Sequence, residues 1–292
     1  MSAILGGIPE LSLHRGPMGG PASPLPLSPP KVTETPTYDD GLLDLNFYMP
    51  IPEVLESERV KLIPFVPAVF ANQYLTAVSD YPHLYDYHVY GPFHSSDPAE
   101  FYLWFEERMR TDPAVLPFAI IDKTKPAPET HPDQGGQLAG VLTYLRTEPQ
   151  NLATEIGHLV IFPPFQRTHV TTNAVGLLLI HALEVPEKGG WGMRRVQWTA
   201  APNNKPSIKA AERMGFKWEG ILRNVRPMPG EREDLRKYKG QPRGLKPSAR
   251  PAVLDRKGDP LPGVPSWDTA FLSLCWDDYD RSEVERLMTR TN

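Results

Sequence analysis

Asn204 and Ser207 are the first residues in this chain whose types and spacing suggest chemistry. The stretch NKPSIKAAERMGF, Asn204 to Phe216, opens on a side-chain amide and sets a hydroxyl three residues later. Asn203 or Asn204 can cap a helix there, and Pro206 suits its first turn, where a missing N–H costs little. Ile208, Ala211 and Met214 recur at helical spacing, and Gly215 supplies the stop. The polar N-terminal end either faces a site or merely caps; spacing alone leaves both open. Upstream, Gln166-Arg167-Thr168-His169-Val170-Thr171-Thr172 follows Pro163 and Pro164 and opens an apolar helix reaching Glu184. A strand, a polar turn and a helix N-terminus favour an anion, because free N–H groups and the helix dipole point the same way.

Two further side chains on the strand before that turn can handle protons. Glu155 can act as a general base directly or through water, or it can be a partly exposed strand residue in a structural ion pair. His158 has the intrinsic pKa of a base, but alternation sends it to the opposite face of the strand, where a packed core histidine is expected. Tyr81, Tyr85, Tyr87, Tyr90 and Phe93 crowd one loop-rich segment. They build either a ligand pocket or the packing of a cap over a sheet. His83, His88 and His94 have no recognisable ligand spacing, so no metal is expected.

The elements that must position these groups follow from pattern. Strands are predicted over Arg59 to Pro64, Leu116 to Asp122, Leu138 to Arg146, Glu155 to Phe162, Arg195 to Thr199, Phe216 to Leu222 and Phe271 to Trp276. Helices are predicted over Val66 to Ser79, Asp97 to Arg110, the stretch after Gln166, the stretch after Asn204, and Arg281 to Met288. That order argues for one mixed α/β sheet with helices on both faces. The 292 residues hold 34 prolines, unevenly placed. Residues 1–52, with GPMGGPASPLPLSPP, read as a disordered or extended tail, and PLPLSPP as a linker rather than a polyproline ligand. Met228 to Pro265 reads as an inserted Pro-rich loop and Lys123 to Gly136 as a shorter one, leaving 53–290 as one domain. A net charge of −4 without a basic stripe speaks against nucleic acid as a partner. No apolar run approaches the roughly 18 residues of a membrane span, and no signal peptide is recognisable. The single Cys275 excludes an intrachain disulfide and, within FLSLCW, reads as a buried inert thiol. A soluble cytoplasmic protein is expected, with homo-oligomerisation left open.

Three blocks in fixed order resemble the GNAT N-acetyltransferase superfamily, most closely its ribosomal-protein alanine acetyltransferase (RimJ/RimL-type) branch. They are LYDYHVYGPF from Leu84, EIGHLVIFPPFQRTHVTT from Glu155, and NKPSIKAAERMGFKWEGILR from Asn204. A weaker fourth is WDTAF from Trp267, similar to the strand that closes the domain. Together they cover roughly residues 55–285. The resemblance implies a mixed, mostly antiparallel sheet splayed open after the Glu155 strand, with the pantetheine arm of acetyl-CoA in the opening.

It also implies acetyl transfer from acetyl-CoA to a primary amine, at a protein N-terminus or on a small molecule, by direct attack in a ternary complex. The backbone of Gln166, Arg167, Thr168, His169, Val170 and Thr171 would hold the pyrophosphate, with Thr172 adding a side-chain donor. An N–H from Leu159, Val160 or Ile161 would polarise the thioester carbonyl. Asn204 would bind the pantetheine or phosphate side, Ser207 would protonate the departing thiolate, and Glu155 would be the general base. Tyr85, Tyr87, Tyr90 and Phe93 would line the acceptor side. His169 and Thr171 stand where the family carries small residues, and a Cβ there restricts the approach of backbone to phosphate. A non-catalytic acyl-CoA-binding or interaction module is therefore the competing reading.

Overall fold

The computed structural model of the chain describes residues 45–227, 257–262, 264 and 266–290. Most of the Pro-rich tail, PLPLSPP included, and most of the 228–265 loop lie outside those residues. The described part builds one eight-stranded sheet in the order β1-β2-β3-β4-β5-β6-β8-β7. The strands are β1 (Leu55–Glu56), β2 (Val60–Pro64), β3 (Leu116–Asp122), β4 (Gln137–Glu148), β5 (Ala153–Ile161), β6 (Arg195–Ala200), β7 (Lys217–Pro227) and β8 (Ser266–Cys275). Every pairing is antiparallel except β5 with β6. The helices are α1 (Pro67–Ser79), α2 (Pro98–Phe105), α3 (His169–Leu183), α4 (Lys205–Arg213) and α5 (Arg281–Thr289).

All seven residues of β3 are buried, so both faces of the sheet are covered there. Alternation divides the work. Pro117, Val141 and Thr143 meet the aromatic layer of Phe101, Trp104 and Phe105 from α2. On the other face Tyr144 packs beside Phe118 and donates its hydroxyl to the Leu178 carbonyl of α3 at 2.6 Å. In the first layer Phe65, Tyr74, Phe101 and Phe105 stack with centroids 5.4–6.2 Å apart. Each such ring contributes about 2–3 kcal/mol by burial, so this layer fixes α1 and α2 on the sheet. Behind α3, the buried Asn173 amide accepts from Ser57 at 2.8 Å and donates to the Met288 carbonyl at 3.0 Å, tying α5 to the start of the sheet.

Three local readings change. The helix expected to Arg110 ends at Phe105 and continues as one π turn, Glu106–Arg110, closed by Arg110 Nε on Glu106 at 2.6 Å. Residues 45–52, expected to belong to the tail, lie on the domain: Leu45, Phe47, Met49 and Ile51 pack against the core, and Phe47 meets Trp191 at 5.5 Å. Their strict alternation is the signal that the surrounding Pro-rich composition hides. Cys275, at the end of β8, is half-buried rather than fully so. No helix among the described residues is long and apolar enough to cross a membrane.

Candidate active site

The parallel strands β5 and β6 share only three paired positions, Ala153–Arg195, Thr154–Val196 and Glu155–Gln197. Beyond them the strands part, and residues 156–161 have no strand partner on the β6 side. A cleft of about 1140 Å³ opens there, lined by Gly157 to Ile161 on one wall and Trp198 to Ala201 on the other. On its β4 side β5 also carries a bulge: Thr143 pairs with Gly157 and Val141 with Val160. His158, in the bulge, has φ +46°. The extra residue breaks the alternation that sends His158 away from Glu155, and both line the cleft. Half-buried Leu159 and buried Val160 and Ile161 all line this space.

At the foot of the cleft, Arg167 adopts φ +59° and turns the chain into α3. Thr168 caps that helix, accepting from the Val170 N–H at 3.3 Å and donating to the Phe165 carbonyl at 2.7 Å. Gln166 gives its Nε2 to the Ile161 carbonyl at 2.9 Å. Gln166, Arg167, Thr168 and Thr171 line the cleft; His169, Val170 and Thr172 are not among its lining residues. The His169 ring lies instead against Asp122, 3.1 Å from its Oδ1, so it is not aimed at an anion in the turn and does not fill it. Thr171 is the position where a Cβ does face the cleft. Thr168 engages only one first-turn N–H, and the geometry suits an anion at the helix terminus.

Facing β5 is the N-terminus of α4. Asn204, not Asn203, is the cap: its Oδ1 accepts from the Ser207 N–H at 3.3 Å. Pro206 sits in the first turn, as the spacing predicts. The Ser207 hydroxyl accepts the Trp198 indole N–H at 3.0 Å, and Asn204, Pro206 and Ser207 all line the cleft. A hydroxyl held as an acceptor keeps its own proton to donate. Ile208 and Ala211 anchor the helix in the core, and Lys209 and Arg213, one turn apart, line the cleft.

Glu155 is 2 % exposed and far more deeply set than a solvent-facing strand residue. Its carboxylate accepts from Arg146, from Thr199 Oγ1 at 2.7 Å and from Gln197 Nε2 at 3.4 Å. Charge-assisted bonds of this kind fix the position of a carboxylate.

The aromatic segment divides between pocket and packing. Tyr85 is fully buried, its hydroxyl 2.7 Å from that of Tyr74, and Phe93 is 1 % exposed against Tyr85, Phe101 and Trp104. Neither lines the cleft, so both act as cap packing rather than acceptor wall. Gly91 lets the loop close, because a Cβ there would overlap the Tyr85 ring. Tyr87 and Tyr90 do line the cleft. Tyr90 packs 4.4 Å from Trp104 and 4.8 Å from His158. Burial, and then the neighbouring His88, Arg108, Arg146 and Arg226, push the His158 pKa well below its usual value. Its Nδ1 is buried without a hydrogen-bond partner. Among the described residues no three His, Cys, Asp or Glu side chains converge as metal ligands.

Sequence reasoning missed Trp198, Thr199, Gln197, His88, Lys209 and the arginines Arg108, Arg146 and Arg226. The Lys209–Arg213 pair had a signal, i and i+4 on the polar face of a capped helix. The others come from separate elements and converge only in three dimensions.

A family model described as "Acetyltransferase (GNAT) domain" matches residues 59–217. A GCN5-related N-acetyltransferase from Brucella melitensis has a similar structure, with a TM-score of 0.58 and 23% identity over 82% of this chain and 85% of that one. RimJ of Mycobacterium smegmatis in complex with CoA-disulfide aligns with a TM-score of 0.50 and 16% identity over 78% of this chain and 87% of that one. A search of curated proteins finds no match.

Proposed function

We propose, because this chain belongs to the GNAT acetyltransferase family, that it carries the acetyl group of acetyl-CoA to a primary amine within a ternary complex. GNAT acetyltransferases use acetyl-CoA, and the residues present suit it. The unpaired edge of β5 offers amides to the pantetheine arm and the thioester carbonyl, with Leu159, Val160 and Ile161 nearest in the cleft wall. The turn from Gln166 to Thr171 and the dipole of α3 take the pyrophosphate, assisted by Lys209 and Arg213 of α4. Asn204 lines the pantetheine side.

The amine nitrogen attacks the thioester carbon, the C–S bond breaks, and Ser207 gives its hydroxyl proton to the departing sulfur while the second proton shed by the new amide nitrogen restores that hydroxyl. Glu155 takes the ammonium proton through a water, since its own oxygens are enclosed by Arg146, Gln197 and Thr199. Tyr87 and Tyr90 form the acceptor wall. Like the RimJ/RimL-type acetyltransferases its motifs resemble, the protein acts on an amine at a chain end or on a small molecule.

The observation that carries this reading is the Ser207 hydroxyl, fixed by Trp198 across a cleft from an unpaired strand edge. Calorimetry with CoA, paired with thiol release from acetyl-CoA over a panel of amines, tests it. Turnover on at least one amine is expected. Tight CoA binding without turnover on any amine would favour the non-catalytic module, and absence of CoA binding would overturn both readings.

A further inference from the structure

We propose that the acceptor amine carries an oxyanion, a carboxylate or a phosphate, and that Arg108, Arg146 and Arg226 grip it beside His158; this rests on the acetyl-transfer reading above. Arg108 comes from the π turn after α2, Arg146 from β4 and Arg226 from the end of β7, yet all three line one cleft. They lie close enough to act on one another. Burial first, then Arg146 and Arg108, lower the pKa of Arg226 against an opposing pull from Glu155, and all three arginines depress His158.

Little on the protein answers this charge. Glu155 is bonded to Arg146. Asp86, Glu107 and Asp112 line the same cleft, but no described carboxylate lies within ion-pair distance of Arg108 or Arg226. Arg108 and Arg226, with no ion pair of their own among the described residues, are repelled by each other and by Arg146, and a bound oxyanion relieves that repulsion. Their planar forks match the two oxygens of a carboxylate or phosphate. The unpartnered His158 Nδ1, buried at the same place, adds a polar atom for a ligand to meet. The CoA phosphates are served elsewhere, at the start of α3 and by Lys209 and Arg213. A site that grips the oxyanion therefore selects among amines.

The test uses the full chain and matched acceptors: a Glu-headed tripeptide against its Gln-headed twin, alanine against alaninamide, and phosphoethanolamine against ethanolamine. At least one anionic member should be acetylated with kcat/KM about tenfold or more above its neutral twin, and the pair that discriminates tells carboxylate from phosphate. Arg226→Gln and Arg108→Gln should each collapse that ratio; Arg108 is exposed, so its variant does not depend on core packing. Ratios near one in all pairs, with turnover intact, overturn this inference and leave acetyl transfer standing. Loss of CoA affinity in both variants with the ratio preserved also overturns it, because the arginines would then serve the cofactor. If no amine is acetylated, calorimetry of the CoA-loaded protein with N-acetylglutamate and N-acetylglutamine, and with N-acetylphosphoethanolamine and N-acetylethanolamine, decides. Tighter binding of either anion than of its neutral twin, lost in Arg226→Gln, supports the site, and equal binding within both pairs overturns it.

Discussion

The indole N–H of Trp198 donates to the Ser207 hydroxyl at 3.0 Å, from the strand on one side of the cleft to the helix end that faces it. One residue on β6 thereby sets the direction in which Ser207 can release its proton. Ser207→Ala should lower kcat about 10²-fold while the Kd for CoA changes little, the pattern of a lost proton donor. Single-turnover thiol release beside calorimetry checks it. An unchanged kcat removes Ser207 from the reaction.

Trp198→Phe separates orientation from donation. It keeps the ring and removes the N–H, leaving the Ser207 oxygen without its fixed donor. A fall in kcat of about 3- to 10-fold, milder than that of Ser207→Ala, is expected for losing one orienting hydrogen bond of about 1 kcal/mol. A loss as large as that of Ser207→Ala would mean that the ring itself, and not the bond, sets the geometry.

Glu155→Gln keeps shape and removes charge. The Arg146 guanidinium is half exposed, so water limits the destabilisation of the broken pair. Turnover should fall about 10²-fold or more at neutral pH and recover in part as pH rises and the free amine becomes abundant. A lowered Tm with normal turnover per folded molecule would assign Glu155 to structure alone.

Stability should fall in mild acid. Burial lowers the pKa of His88 and of His181 to about 4, against an ordinary value of 6.5. The unfolded chain therefore binds these protons first. Stability is intact above about pH 6.5 and declines as pH drops toward 4, on the order of 3 kcal/mol for each histidine across that window. Urea unfolding at a series of pH values should show this slope, and His181→Gln should flatten it. An equal slope in the variant would show that His181 does not contribute.

Gly140→Ala tests the close approach of β4 to β5. A Cβ at Gly140 would sit well inside contact distance of the Val160 carbonyl oxygen, which is backbone and cannot swing aside. A stability loss of about 1–3 kcal/mol is expected, with weaker CoA binding because Val160 forms part of the cleft wall. Unchanged CoA affinity would show that β5 shifts without disturbing the site.

Much of this was legible in the chain itself. The capped Asn204 helix, the strand–turn–helix around Arg167 and the chain order of the main strands survive, because caps, prolines and apolar periods act locally, although β7 runs five residues past Leu222 and β8 begins five before Phe271. What did not read was long-range. Alternation misplaced His158 because a bulge is decided by the partner strand. Aromatic density could not tell Tyr85 and Phe93, which pack the cap, from Tyr87 and Tyr90, which border the cleft. The His169 side chain, expected at the phosphate turn, is drawn off by Asp122, forty-seven positions away in the chain. The three arginines have no common spacing, so only the folded sheet assembles them.

Three paired positions are all that join the β5 side of the sheet to the β6 side. Arg108 and Arg146 ride on one leaf of the sheet and Arg226 on the other, with the cleft between. The angle at which the leaves stand therefore sets the span of the arginine grip.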